Sequence, residues 1–337
     1  MEKNILLEHG SGGKLSSSLI RDLFFKYFNN PVLKQQTDSA LLNINSKNIA
    51  FTTDSYIVDP LFFPGANIGK LAVCGTVNDL SVSGAIPKYI SASFIIEEGF
   101  SVEELEIIVS SMADEAIKAD VLIVTGDTKV VTKDKCDKLF INTSGIGVLD
   151  MKYIPISTGE NIKTGDKIII NGTIGDHGMA IMAARSFGNF KTGIQTDCAS
   201  LNHMIKEILD TNCQIKFMRD ATRGGIATIL CELTENLNRG IEIDEAKVPV
   251  KESVRGMCEL LGFDPFYVAN EGIIILITAA EDADRVVEVM QQNEFGRNSV
   301  VIGEVVDNHN GKAILNTGIG GKRIIEMLAG EQLPRIC

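Results

Sequence analysis

Cys337 closes the sequence in the run Pro334-Arg335-Ile336-Cys337. A thiol on a last residue has no chain beyond it to make it an interior helix or strand position. Chain ends stand exposed unless something ties them down. Extended at roughly 3.3 Å per residue, the stretch from Gly330 to Cys337 reaches on the order of 25 Å. Such a thiol is a nucleophile that can be carried between an outside donor and an internal pocket. The plainer alternative is an incidental cysteine on a disordered tail.

Five aspartates stand in similar company: Thr37-Asp38, Thr53-Asp54-Ser55, Asn78-Asp79, Thr125-Gly126-Asp127-Thr128 and Arg219-Asp220. Carboxylates are hard oxygen ligands, and Mg²⁺ on a phosphate uses one or two of them per ion. Asp54 and Asp127 each follow an apolar run, which predicts both at strand ends. A turn or helix cap is the competing role for each. Asn78-Asp79 interrupts the apolar segment Leu71–Ser83, where a charge needs a partner or a metal; a surface turn between two short helices is the alternative.

Other groups add to this set. The loop His9-Gly10-Ser11-Gly12-Gly13 lets backbone amides approach a ligand closely. Lys129 follows the Asp127 turn as a point charge for phosphate. Asp176-His177-Gly178 opens a helix, suiting either an anion or a simple cap. Arg219 to Gly225 packs two arginines, a carboxylate and two glycines before another helix. Glu271 precedes the apolar run Ile273–Ile277, where burial would raise its pKa and suit it to be a base, unless it is a turn residue. There is no GxxxxGK[ST] and no GxGxxG opening a helix, so any nucleotide site is built another way.

The elements that must position these residues follow from periodicity. The first half predicts helices at Lys14–Phe28, Asn67–Ser83 and Ser101–Lys118, with Ser101 and Glu104 forming a capping box. Strands are expected at Thr37–Ile44, Ile49–Thr53, Tyr89–Ile96, Val121–Thr125 and Leu139–Val148. The second half predicts strands at Lys167–Asn171, Gly272–Thr278, Val300–Val306 and Lys312–Asn316. Its helices are expected at Gly178–Phe187, Leu201–Thr211, Gly225–Leu237, Glu252–Leu261 and Asp282–Asn293. The order is mixed rather than strictly alternating, which favours an α+β class. Pro155, Gly159 and Gly165 mark a boundary, giving residues 1–155, 156–322 and a mobile tail, 323–337.

The chain has 337 residues, enough for two domains. Its formal net charge is −12, against nucleic acid as the main partner. The start shows no basic region followed by an apolar run, and no stretch approaches a membrane span. The seven cysteines form no CxxC and the four histidines show no paired ligand spacing, arguing against structural zinc. Scattered, odd-numbered cysteines without an export signal suggest reduced thiols in the cytoplasm.

Together, nine stretches resemble one family of ATP-dependent enzymes, which includes aminoimidazole ribonucleotide synthetase, selenophosphate synthetase and thiamine-monophosphate kinase. They are His9–Gly13, Thr53–Pro60, Leu61–Gly65, Gly75–Asp79, Thr125–Lys129, Gly175–Gly178, Arg219–Gly225, Asn270–Gly272 and Pro334–Cys337. The last of these points to the hydrogenase-maturation branch. The resemblance implies a two-domain PurM-like fold whose N-terminal sheets pair into a barrel in a homodimer. It implies that a carbamoyltransferase, HypF, loads Cys337 with a carbamoyl group. ATP with Mg²⁺ would then drive dehydration to a thiocyanate, and the cyanide would pass to iron on the HypC–HypD complex. Asp38, Asp54, Asp79, Asp127 and Asp220 would hold the metal and nucleotide, with His9, Gly12, Asn78 and Thr128 on the nucleotide. Lys129 and Arg223 would hold phosphate or the activated oxygen, and Glu271 or His177 would accept the proton. A small-molecule synthetase and a non-catalytic, ATP-regulated thiol carrier are the other readings.

Overall fold

The computed structural model describes residues 3–11, 14–35, 39–186, 192–237, 239–328, 330, 333 and 335–337. The apolar segment around Asn78 forms one helix, α1 (Ile68–Val82). Its start is fixed by Asn67, whose Oδ1 accepts from the Gly69 and Lys70 N–H groups at 2.9 and 3.1 Å. Helix α2 (Val102–Lys118) crosses it at Gly69, where a Cβ would stand 2.2 Å from the Ile108 carbonyl oxygen. Ser101 Oγ caps α2 on the Glu104 N–H, as its sequence requires.

These helices lie against a four-stranded sheet of β1 (Ile49–Tyr56), β2 (Ala85–Glu97), β3 (Leu122–Val131) and β4 (Leu139–Leu149). Its order is β1-β4-β2-β3, antiparallel except for the β2–β3 pair. Side chains alternate across it: Tyr56 is buried under the helices while Phe51 on the other face is 66% exposed.

The strands outrun their expected ends. Asp54 pairs with Thr143 and Asp127 with Ser93, so both lie inside strands rather than beyond them. Ladder hydrogen bonds use the backbone, and a polar side chain on a strand does not stop them. The strand expected over Thr37–Ile44 does not form across residues 39–44, and residues 36–38 lie outside the described residues. The N-terminal helix is present, with a π-helical stretch, Ile20–Phe24, in its middle.

The second half builds a seven-stranded sheet from β5 (Lys167–Ile170), β6 (Ile215–Asp220), β7 (Gly240–Asp244), β8 (Ile274–Thr278), β9 (Val300–Val306), β10 (Ala313–Asn316) and β11 (Lys322–Ile325). The order is β11-β10-β7-β9-β5-β8-β6. Its centre is apolar on both faces. Ile168, Ile170, Ile275 and Ile277 enter one core with the helix Gly225–Leu237. Ile169, Ile274 and Leu276 enter another with Met204 and Met290, from helices Asn202–Asp210 and Ala283–Gln292. Strands β6, β7 and β11 escape sequence reading because Lys216, Arg219, Glu242, Lys322 and Arg323 break their apolar pattern. Among the described residues, no helix is long and apolar enough to cross a membrane.

Candidate active site

Four carboxylates, on β1, α1, the end of β6 and the bend before β8, come within electrostatic reach of one another. Asp79 sits on α1 and accepts a hydrogen bond from Thr52 Oγ1 of β1 at 2.8 Å. Asn78-Asp79 is therefore mid-helix, not a surface turn. Burial, with Asp54 nearby, raises the Asp79 pKa. Asp220, at the end of β6, is pushed up to about 7 by burial and by Asp79 and Asp54. Glu271 is raised well above the usual range by burial, then by Asp197, Asp220 and Asp54. Its Oε1 is buried and has no hydrogen-bond partner. An uncompensated acidic pocket of this kind attracts protons or cations.

The pocket fits a bridged cation better than a caged one. Among the described residues, no three acidic, histidine or cysteine side chains are placed to enclose an ion by themselves. Mg²⁺ commonly takes one or two carboxylates and completes its shell with phosphate oxygens and water. The orphaned Glu271 oxygen and the mutually repelling Asp54, Asp79 and Asp220 suit that arrangement.

Asp127, Thr128 and Lys129 do not join this cluster. Asp54, Thr143, Ala92 and Gly126 form one row across the sheet, so Asp54 and the β3 edge are three strand spacings apart, about 14 Å. Asp127 is one register step beyond Gly126 and faces the uncovered side. Its Oδ1 accepts from Lys129 Nζ at 3.0 Å. This edge borders a cavity of about 300 Å³ whose walls include Phe24, Phe28 and Phe94 beneath the N-terminal helix.

Other expected nucleotide residues have different work. Asn78 Nδ2 donates to the carbonyls of Ala199 and Glu271, at 2.9 and 3.2 Å, and its Oδ1 accepts from Leu201 N at 2.8 Å. Its amide is thus spent tying α1 to the second half. Buried His9 accepts from the Leu6 N–H through Nδ1 at 3.0 Å, closing a local turn. Arg223 is exposed and borders a smaller cavity together with Ile336, away from Lys129. Gly12 and Asp38 lie outside the described residues.

Arg335–Cys337 are docked, the inner of the two positions open to a tail that moves between donor and pocket. Ile57 N–H donates to the main-chain oxygen of Cys337 at 3.1 Å and Asp59 N–H to the Arg335 carbonyl at 3.3 Å. The tail thereby adds itself to the chain leaving β1. Ile336 is buried in the N-terminal core and Cys337 packs against it. Arg335 Nε donates to the Ile57 carbonyl at 3.1 Å and Nη1 pairs with Asp137 at 2.6 Å. Arg185, on α3 (Asp176–Ser186), donates to the carbonyls of Asp59 and Arg335.

His177 holds the tail from beneath. Its Nε2 lies 2.9 Å from the Ile336 carbonyl oxygen and its Nδ1 lies 2.8 Å from Thr196 Oγ1. A carbonyl only accepts, so Nε2 carries the proton and Nδ1 accepts from the threonine. Burial depresses the imidazole pKa to about 4, keeping it neutral. His177 is therefore a donor to the tail here, with no open nitrogen for the proton-acceptor role. Thr196, Asp197 and Arg185 belong to no motif in the sequence. The one available signal was the dipeptide Thr196-Asp197, which repeats Thr37-Asp38 and Thr53-Asp54.

Residues 36–149 and 163–316 match the models for the N-terminal and C-terminal domains of AIR synthase related proteins. The carbamoyl dehydratase HypE of Bradyrhizobium diazoefficiens is 46% identical over 336 residues, covering 98% of this chain and 95% of that one. The chain belongs to the HypE family. A HypE crystal structure in complex with ATP superposes with a TM-score of 0.94 at 45% identity, over 98% of this chain and 99% of that one. A HypE–HypF complex contains a chain 47% identical, with a TM-score of 0.78, covering 92% of this chain and 100% of that one. The HypE family likeness thus spans both halves of the fold, whose mixed α+β sheets agree with the PurM-like expectation.

Proposed function

We propose that this chain is an ATP-dependent carbamoyl dehydratase acting on its own last residue in hydrogenase maturation. It converts a carbamoyl group on the Cys337 sulfur to a thiocyanate. The observation that carries this reading is the seat of the terminus: Cys337 is bonded to Ile57, three residues beyond Asp54. At about 3.4 Å per extended residue, that places its backbone roughly 10 Å along the chain from the acidic pocket. The fold and the ATP complex of the relative support the nucleotide; the HypF complex of another relative supports HypF as the donor of the carbamoyl group. HypC–HypD as acceptor, a cytoplasmic setting and the division into residues 1–155, 156–322 and 323–337 belong to the same proposal.

Dehydration needs a better leaving group than a carbamoyl oxygen. Moving the γ-phosphoryl group of ATP onto that oxygen forms a C–O–P link and releases ADP. Two N–H protons then leave, the C–O bond breaks, phosphate departs and C≡N remains. Mg²⁺ held at Asp54, Asp79 and Asp220 would neutralise phosphate charge when bound. Glu271 accepts a proton from the carbamoyl nitrogen. Its burial keeps water from the activated group, while the tail's backbone bonds hold the sulfur in place.

A homodimer accounts for the separation of Asp127 and Lys129 from Glu271. The uncovered sheet face exposes Ile49, Phe51, Ile86 and Ile95, an apolar surface suited to a second copy. Pairing there brings the β3 edge of one protomer to the acidic pocket of the other. Lys129 and Thr128 then contact phosphate, and the neighbouring aromatic cavity takes the base. Mixing Asp127→Asn with Glu271→Gln protein tests this. Recovered activity in the mixture supports a shared site, and none counts against it.

The dehydration itself is tested on protein carbamoylated at Cys337. With ATP and Mg²⁺, the tail peptide should lose the mass of one water and phosphate should appear. An unchanged tail with no phosphate would favour the thiol carrier. Activity in Cys337→Ala on a small substrate would favour a synthetase.

A further inference from the structure

Hydrogen bonds through His177 and Thr196, continued by the turn at 196–198 and the Asp197 carboxylate, join the docked tail to the Glu271 backbone. The Ile336 carbonyl takes the proton of His177 Nε2, and His177 Nδ1 takes that of Thr196 Oγ1. The same Thr196 oxygen accepts from the Cys198 N–H at 3.1 Å, which sets the turn containing Asp197. Asp197 Oδ2 accepts from the N–H groups of Glu271 and Gly272 at 3.1 and 3.0 Å. The two chain segments of this contact lie close: a Cβ on Gly272 would stand 2.0 Å from the Asp197 carbonyl oxygen. The segment is also anchored to the chain beyond the tail's seat, since Thr196 N–H donates to the Pro64 carbonyl at 2.9 Å.

We propose that Thr196 and Asp197 are positioning residues that couple docking of the tail to the setting of Glu271. This rests on the dehydratase reading for its chemistry. With the tail in place, one tautomer of His177 and one rotamer of Thr196 pair the Ile336 carbonyl, both ring nitrogens and the Cys198 N–H. With the tail withdrawn, the buried Nε2–H faces no acceptor, and that penalty is relieved by turning the ring and releasing the Thr196 hydroxyl. The turn at 196–198 then loses its internal bond, and Asp197 loses its fixed approach to the Glu271 backbone. A bistable element of this kind works in both directions. The unloaded enzyme, its tail outside with the donor, leaves Glu271 unset, and ATP bound at the acidic pocket favours the docked tail.

The test uses the full chain, Thr196→Val and Thr196→Ser, all checked for unchanged melting. Alkylation of Cys337 by iodoacetamide, followed by peptide mass mapping, is measured with and without ATP and Mg²⁺. Wild type and Thr196→Ser should be protected by about tenfold, a typical coupling between sites, and Thr196→Val by less than about twofold. In single-turnover dehydration of carbamoylated protein, Thr196→Val should be slowed by about tenfold at saturating ATP, with half-saturation little changed. Equal protection in wild type and Thr196→Val overturns the proposal, as does equal loss in Thr196→Ser. If ATP protects wild type but no dehydration occurs, the coupling stands and the dehydratase reading falls.

Discussion

His177 Nε2 stands 2.9 Å from the carbonyl oxygen of Ile336, and both groups are buried. The bond matters because neither partner has water as a substitute. His177→Phe retains an aromatic ring but strands the Ile336 carbonyl and the Thr196 hydroxyl. Leaving a buried polar group unpaired costs about 1–3 kcal/mol. Release of the tail is the cheapest relief, so Cys337 should alkylate about tenfold faster in ligand-free His177→Phe. An unchanged rate would mean that the backbone bonds to Ile57 and Asp59 suffice to hold the tail.

Glu271→Gln separates catalysis from stability. The buried Oε1 has no partner and three neighbouring carboxylates oppose its charge. A neutral amide of the same size removes that repulsion, so the ligand-free variant should melt higher than wild type at pH 8. General-base removal typically costs 10²–10⁴-fold. Dehydration should therefore fall by at least about 100-fold while loading of Cys337 continues. Dehydration close to the wild-type rate would remove Glu271 from the proton-transfer role.

The acidic pocket makes stability depend on pH with a definite sign. Asp220 and Asp197 are both raised from 3.8 to about 7, principally by burial. Their protonated forms are favoured by folding, so this stabilisation is complete below 3.8 and is lost as pH rises through about 7. Ligand-free protein should melt lower at pH 8 than at pH 6.5. Buried His177, lowered from 6.5 to about 4, opposes the trend at more acid pH. Asp220→Asn should melt above wild type at pH 8, and the gap should narrow at pH 6.5. Mg²⁺ with ATP should raise the wild-type midpoint most at pH 8. A flat wild-type profile from pH 6.5 to 8 would show that the pocket is better solvated than its geometry indicates.

The sequence disclosed the helices well because their caps and periodicity are local. Ser101 and the apolar faces of Gly225–Leu237 and Glu252–Leu261 are examples. Asp54, Asp79, Asp220 and Glu271 were legible as candidate site residues because carboxylates among Thr, Gly and apolar runs are chemically conspicuous. Their division was not legible: only strand order shows that Asp54 and Asp127 occupy opposite edges of one sheet. The bond from His177 to the tail was not legible either, since its partner lies 159 positions away. Thr196 and Asp197 lie in an irregular stretch whose conformation is imposed by Glu271, Gly272 and the tail, none of them sequence neighbours.

Gly272→Ala tests the tight contact on which the pocket closes. The added methyl would meet the Asp197 carbonyl oxygen at 2.0 Å, and a backbone atom cannot swing aside as a side-chain end can. Overpacking of this kind costs about 1–3 kcal/mol. The variant should melt lower and dehydrate more slowly, because relief requires Asp197 to retreat from the Glu271 N–H. Gly165→Ala is a control for stability alone, since open space surrounds that position while its φ is +92°. It should destabilise without slowing dehydration. Equal slowing per unit of destabilisation in the two variants would argue that loss of stability alone explains the Gly272 effect.

Arg335 makes two contacts of unequal worth. Its pair with Asp137 is exposed, with 68% of the aspartate side chain accessible, and such pairs are typically worth about 0–1 kcal/mol. Its Nε bond to the Ile57 carbonyl joins the tail to the chain leaving β1, where the guanidinium fork lets one side chain serve both partners. Asp137→Asn should therefore change the alkylation rate of Cys337 by less than about threefold, and added salt should abolish even that. Arg335→Lys keeps the charge but loses the fork. It should free the tail by about fivefold, corresponding to about 1 kcal/mol for one hydrogen bond, and that difference should persist in salt. A larger effect at Asp137 than at Arg335→Lys would make charge pairing, rather than the bond to Ile57, the chief anchor.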